Sequence, residues 1–197
     1  QALNNNKLFL KAAGNEYLSG VGNVCAPHNA NAPYENESPF MIVVGAVSGV
    51  STNGSEGWIK STYSNAGSNL WVSAPGGEYG EFEPAILTTD LPTCLKGYSK
   101  ATSGLNNDFE YGHELNTQCH YTSTMNGTSS AAPVVSGVIA LILEANPDLS
   151  FREVKDILAK TAIRVNPNGN ANYFAGSHPS NVLTGCNSLN LSGHDYE

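Results

Sequence analysis

A serine set among small residues, where a turn runs into an apolar helix, is the feature of this 197-residue chain with the clearest chemical potential. Gly127-Thr128-Ser129-Ser130-Ala131-Ala132-Pro133 leads directly into the apolar run Val134 to Leu143. Small neighbours let a peptide approach the Ser129 hydroxyl closely. A helix starting here offers backbone N–H groups without intrahelical acceptors and a partial positive charge, and both favour an oxyanion. Pro133 costs little if it falls within the first turn. The chemistry on offer is attack on a carbonyl, with the developing charge held at a helix start. A serine needs a base to do this well.

A second segment adds weight. Lys7-Leu-Phe-Leu-Lys-Ala-Ala-Gly-Asn15-Glu16 is a short apolar run that stops abruptly, the pattern of a buried strand ending at a turn. Gly-Thr-Ser-x-Ala-x-Pro before an apolar helix, with Ala-Ala-Gly-Asn upstream, resembles the subtilisin-like serine proteases. The resemblance implies that Ser129 is the nucleophile. It also implies that the Asn15 side-chain amide and the Ser129 N–H hold the oxyanion. The family's Asp-Ser-Gly or Asp-Thr-Gly motif and its His-Gly-Thr motif are absent, and His28, His113, His120, His178 and His194 lack the family's neighbours. Residues 1–197 therefore read as the C-terminal portion of one subtilisin-like peptidase domain. Its N-terminal half would be a partner supplying the histidine and aspartate. Both ends look cut, at Gln1-Ala-Leu-Asn and at Gly193-His-Asp-Tyr-Glu197.

Within that family the chain resembles the kexin-like branch. The residues are Ile86-Leu-Thr-Thr-Asp90 followed by a cysteine, the serine motif, and Leu143-Glu-Ala-Asn-Pro-Asp-Leu149 before a capped helix. That branch implies a preference for basic residues before the cut. Cys25-Ala-Pro-His-Asn-Ala-Asn carries no aspartate where the branch places an acidic pocket residue, and Glu16, Glu35 and Glu37 are nearby acids without an assigned role.

Composition sets the surroundings. Charged residues make up 13% of the chain and the formal net charge is −8, which suits a secreted surface and disfavours nucleic acid. No apolar run approaches the roughly 20 residues of a membrane span, so Val134 to Leu143 reads as a buried core helix. Cys25, Cys94, Cys119 and Cys186 form no CxxC pair and no zinc pattern. Four cysteines allow three pairings. A Cys94–Cys119 bridge would close the polar stretch 95–118, which reads as a surface insertion, and would contribute about 3 kcal/mol; free thiols are the competing reading. No cofactor is needed for the chemistry. Asp108, Glu110 and Glu114 offer oxygens for a structural calcium ion, although their spacing matches no EF-hand and a solvated loop explains them better.

The elements that must position Ser129 read as an α/β domain, a mostly parallel sheet flanked by helices. Phe40 to Val47 is a continuous apolar run, as in a strand covered on both faces. Asn69 to Gly76 is a second strand, ended by Pro75 and Gly76, and Ser51 to Asn65 between them reads as turns. Ala85 to Asp90 reads as a strand leading into the insertion, with His120 to Thr124 returning toward the serine. Ser150-Phe151-Arg152-Glu153 is a capping box, and Phe151, Val154, Ile157 and Leu158 mark the apolar face of the helix it opens.

Two functions from different classes fit these residues. The first is a secreted serine endopeptidase acting on protein or peptide substrates. The alternative is a catalytically inactive fragment or pseudoprotease that binds a partner. An esterase of the Gly-x-Ser-x-Gly, α/β-hydrolase type is a poor third fit, because Ala131 stands where the second glycine belongs. Alone, Gly-Thr-Ser is ordinary turn material, Asn15 an ordinary turn asparagine and Asp90 a strand-end acid.

Overall fold

The computed structural model describes residues 7–17, 20–21, 24–25, 29–52, 55–78, 85–100, 109–110, 112–163 and 165. Its centre is β4 (Met41–Thr52), whose β-branched and small residues suit a strand covered on both faces. Ile42, Val43, Val44, Ala46 and Val47 are all buried. β1 (Phe9–Ala12) runs parallel to β4, pairing Phe9 with Met41 and Ala12 with Val44. β6 (Leu70–Pro75) runs parallel along the other edge, pairing Val44 with Val72 and Val47 with Pro75. β2 (Gly20–Val21) and β3 (Val24–Cys25) form a separate antiparallel pair.

The reading of 51–65 as turns is corrected by the structure. β5 (Ser55–Lys60) folds back antiparallel on the far half of β4, pairing Thr52 with Ser55 and Val47 with Lys60. Val47 is thus flanked by Lys60 and Pro75, which places β5 on β4's β1 side and beyond the end of β1. The sheet remains mostly parallel, with β1 and β6 both parallel to β4.

β7 (Ile86–Thr89) and β8 (Tyr121–Met125) pair antiparallel. They form the base of the insertion, which the Cys94–Cys119 disulfide closes. Residues 101–108 and 111 of that insertion, with Asp108 among them, lie outside the described residues, as do His28, His178, His194 and Cys186.

β8 delivers the chain to α1 (Thr128–Ala145), which packs on the sheet through Ala131, Val135 and Ile139. α2 (Phe151–Thr161) closes the same core with Val154 and Leu158. Burying those two side chains contributes roughly 3–6 kcal/mol. α1 departs from the expected core helix, because Val134, Val138 and Leu141 on its outer side are exposed. At 18 residues and mean hydropathy 1.5 it is also long and apolar enough to cross a membrane by length and composition alone. Its packing on β4 and β6 nevertheless makes its inner face part of this core.

Candidate active site

Three strand ends converge where α1 begins: the C-terminal ends of β1, β6 and β8. β1 stops at Ala12, and the chain turns through Gly14, whose φ of 103° suits glycine. That turn brings Asn15 against the first residue of α1. Asn15 Oδ1 accepts from the Thr128 backbone N–H and from Thr128 Oγ1, each at 2.8 Å. Thr128 Oγ1 in turn accepts from Gly14 N–H at 3.2 Å. With Oδ1 committed to Thr128, the Nδ2 end of the Asn15 amide faces away from it.

Gly127 is the hinge of the arrangement. Its φ is 118° and ψ 159°, a conformation that disfavours any residue with a Cβ. A Cβ there would sit 3.4 Å from Asn15 Nδ2 and 3.7 Å from Ser129 N, in the space between the two donors. Thr128, Ser130 and Ala131 are buried, whereas Ser129 between them is exposed. Among the described residues the Ser129 hydroxyl and N–H have no recorded hydrogen-bond partner. Asn15 is likewise exposed. The two residues that sequence singled out therefore share one open corner, with a hydroxyl, a backbone N–H and a side-chain amide available to a ligand.

What holds this corner is a turn that the sequence reading passed over. Tyr63 is buried, and its hydroxyl accepts from Gly127 N–H at 2.8 Å while facing the carbonyls of Gly76 and Gly77 at 2.8 and 2.7 Å. Two residues on, buried Asn65 accepts from Glu16 N–H at 3.1 Å and donates to Ala13 O at 3.2 Å and to the Glu16 carboxylate at 3.0 Å. Lys60 sits over the Tyr17 ring, 3.8 Å from its centroid, and donates to the carbonyls of Ser61 and Ser64. Burial pulls its ammonium down to about 7, against the attraction of Glu78.

The other sequence candidates are structural. Burial alone would raise the Asp90 carboxyl, but N–H groups of Ser99, Leu91 and Tyr98 hold it below the usual carboxylate range. Asp90 thereby anchors the insertion through the N–H groups of Tyr98 and Ser99. His120 is exposed, and its carbonyl accepts from Asp90 N–H. His113 Nδ1 accepts from Leu115 N–H. Neither histidine has a recorded bond to Ser129. Glu110 is buried, with one carboxylate oxygen accepting from Thr122 Oγ1, Ser123 N–H and Ser123 Oγ. Glu114 is exposed, and no group of three metal-ligating side chains occurs among the described residues. Asp108 lies outside the described residues, and no calcium ligand is assigned among those described.

Comparison with known proteins points one way. A profile of the subtilase family (Peptidase_S8) matches residues 1–183. The chain is 39% identical to an extracellular serine protease of Aeromonas sobria, across 80% of this chain and 26% of that protein. It is 32% identical to a calcium-dependent protease of Trichormus variabilis, across 81% of this chain and 21% of that one. A crystal structure of the Aeromonas sobria serine protease in complex with a chaperone superposes with a TM-score of 0.71 at 37% identity, covering 82% of this chain and 28% of that one. The chain thus spans about a quarter of the length of the proteins it matches.

Proposed function

Because the chain belongs to the subtilase family, we propose that it carries the nucleophile and oxyanion-binding part of a serine endopeptidase. One observation carries this reading. Thr128 fixes the Asn15 amide by two hydrogen bonds to Oδ1, leaving Nδ2 beside the same Gly127 corner that exposes Ser129. Ser129 Oγ attacks the scissile carbonyl carbon and gives its proton to a histidine. The carbonyl oxygen takes up the negative charge, and Ser129 N–H and Asn15 Nδ2 donate to it. Collapse expels the amine, which receives the proton from the histidine, and water then releases the acyl group from Ser129 by the same steps.

Histidine and aspartate come, in this proposal, from residues outside this sequence. Its support is that neither His113 nor His120 hydrogen-bonds Ser129 among the described residues, and that the matched relatives are several times longer. Secretion is part of the same reading, supported by the closed Cys94–Cys119 disulfide and by a relative named as extracellular. The finer kexin-like reading, with basic residues before the cut, rests on the sequence motifs at Ile86 to Asp90 and Leu143 to Leu149. A peptide panel showing preference for apolar residues before the cut would remove that finer reading.

The direct test is a fluorophosphonate probe, which reacts only with an activated serine. The intact protein carrying this chain should form an adduct located on Ser129 by mass spectrometry. Intact protein without an adduct would favour the alternative, a binding module built on a protease scaffold.

A further inference from the structure

We propose that Tyr63 is a positioning residue of the oxyanion site, fixing the separation between the Asn15 amide and the Ser129 N–H; this rests on the protease reading above. The proposal stands on what one short turn touches. From the segment after β5, Tyr63 sends its side chain under α1, where its hydroxyl accepts from Gly127 N–H at 2.8 Å. The hydroxyl proton points to the Gly76 and Gly77 carbonyls that follow β6. Gly76 must lack a Cβ for this, because one would lie 2.5 Å from the Ala46 Cβ, 3.0 Å from Gly127 O and 3.2 Å from Tyr63 Oη.

The same turn grips the other side of the corner. Tyr63 O accepts from Tyr17 N–H at 3.2 Å, and Asn65 N–H donates to Gly14 O at 3.0 Å. The Asn65 side chain adds its bonds to Ala13 O and Glu16 N–H. Asn15 is therefore held on both flanks by residues 63 and 65, while the peptide leading to Ser129 is held by the hydroxyl of residue 63 together with the Gly76 carbonyl, to which Gly127 N–H also donates at 3.1 Å. The two oxyanion donors come from segments far apart in sequence. This turn is a rigid connection between them in addition to Thr128.

Tyr63 touches no reacting atom. Its effect falls on geometry that matters only when the carbonyl oxygen becomes charged, so it belongs to turnover rather than to substrate binding. Tyr63→Phe keeps the ring and removes only the hydroxyl. In the intact protease, kcat should fall about tenfold to a hundredfold with KM nearly unchanged. The decisive readout is a double-mutant cycle with Asn15→Ala. If Tyr63 acts by aligning Asn15 with the Ser129 N–H, most of its effect disappears once the Asn15 amide is gone.

Equal fold-losses from Tyr63→Phe in the parent and in Asn15→Ala would overturn the proposal, as would an unchanged kcat. Should Tyr63→Phe fail to fold, judged by circular dichroism and thermal melting, Asn65→Ser takes its place. It loosens the Asn15 flank and should show the same coupling to Asn15→Ala; additivity there would also overturn the proposal. A parent protein that neither cleaves peptides nor accepts the fluorophosphonate would overturn the protease reading itself, and the role of Tyr63 with it. An active parent with an additive cycle would overturn only the role of Tyr63.

Discussion

α1 and α2 begin in opposite ways, and the contrast supports the proposed site. α2 answers its own first amides. The Ser150 side chain accepts from Glu153 N–H, and the Glu153 carboxylate accepts from Ser150 N–H at 2.7 Å and from Ser150 Oγ at 2.6 Å. α1 has Gly127 at its N-cap, no side-chain cap and no acidic residue in its first turn. Its leading amides are met instead by distant residues: Gly127 N–H by Tyr63 Oη and Gly76 O, Thr128 N–H by Asn15. The next, Ser129 N–H, is left for a ligand. A helix start closed by its own residues stabilises the fold; one closed from afar, with one donor left over, can bind a developing negative charge.

The largest effect should come from removing the second donor at the open helix start. Asn15→Ala should lower kcat roughly 100- to 1,000-fold, a magnitude taken from the equivalent donor in subtilisin rather than derived from this geometry. Peptide hydrolysis by the intact protease measures it. Unchanged turnover would mean that the open start of α1 does not serve catalysis and that its contrast with α2 is only one of capping style.

Next comes Gly127→Ala. The positive φ costs on the order of 1–3 kcal/mol for a residue with a Cβ, and the added methyl would sit in van der Waals contact with the Asn15 amide, 3.4 Å from Nδ2, and 3.7 Å from Ser129 N. Stability and turnover should both fall, turnover by more than the loss of folded protein explains. Thermal melting and active-site titration on the same sample separate the two effects. Alanine with full specific activity would show that the corner tolerates a methyl group at position 127.

These helix starts also mark what could be read from sequence. α2 was legible in full, because Ser150, Glu153 and the apolar face at Val154 and Leu158 act within one helix. The nucleophile turn was legible because its small residues and proline lie together in the chain. β5 was missed although Asn53-Gly54, a strong hairpin signal, stands between the paired Thr52 and Ser55; the polar residues around it outweighed that dipeptide. Tyr63 and Asn65 left no readable signal. Their partners lie 64 and 52 residues away, at Gly127 and Ala13, and only folding brings them together. The exposed outer side of α1 was illegible for the opposite reason, since an apolar run does not tell which of its faces is covered.

At the closed helix start the effects are smaller and fall on stability alone. Ser150→Ala removes the cap and should cost about 1 kcal/mol without changing kcat. A melting curve and an activity assay together check both halves of that statement. A loss of turnover matching the stability loss would tie α2 to the site after all, since its Val154 and Leu158 share a core cluster with Ala131 and Val135 of α1.

The smallest effect is a pH dependence that α2 should show and the start of α1 should lack. The Ser150 hydroxyl and then the Ser150 N–H stabilise the ionised Glu153 carboxyl and hold it below its ordinary value of 4.5. A carboxyl lowered in the folded state binds fewer protons folded than unfolded. Its contribution is therefore complete above the unfolded value and fades as pH falls through the lowered folded one. Glu153→Gln keeps the length and an acceptor oxygen but cannot ionise. The difference in melting temperature between parent and variant should be largest near neutrality and shrink as pH falls below about 4.5. Subtracting one curve from the other cancels the carboxyls common to both. A gap that stays constant into acid would mean that shape rather than charge makes the cap, and the contrast between the two helix starts would then rest on α1 alone.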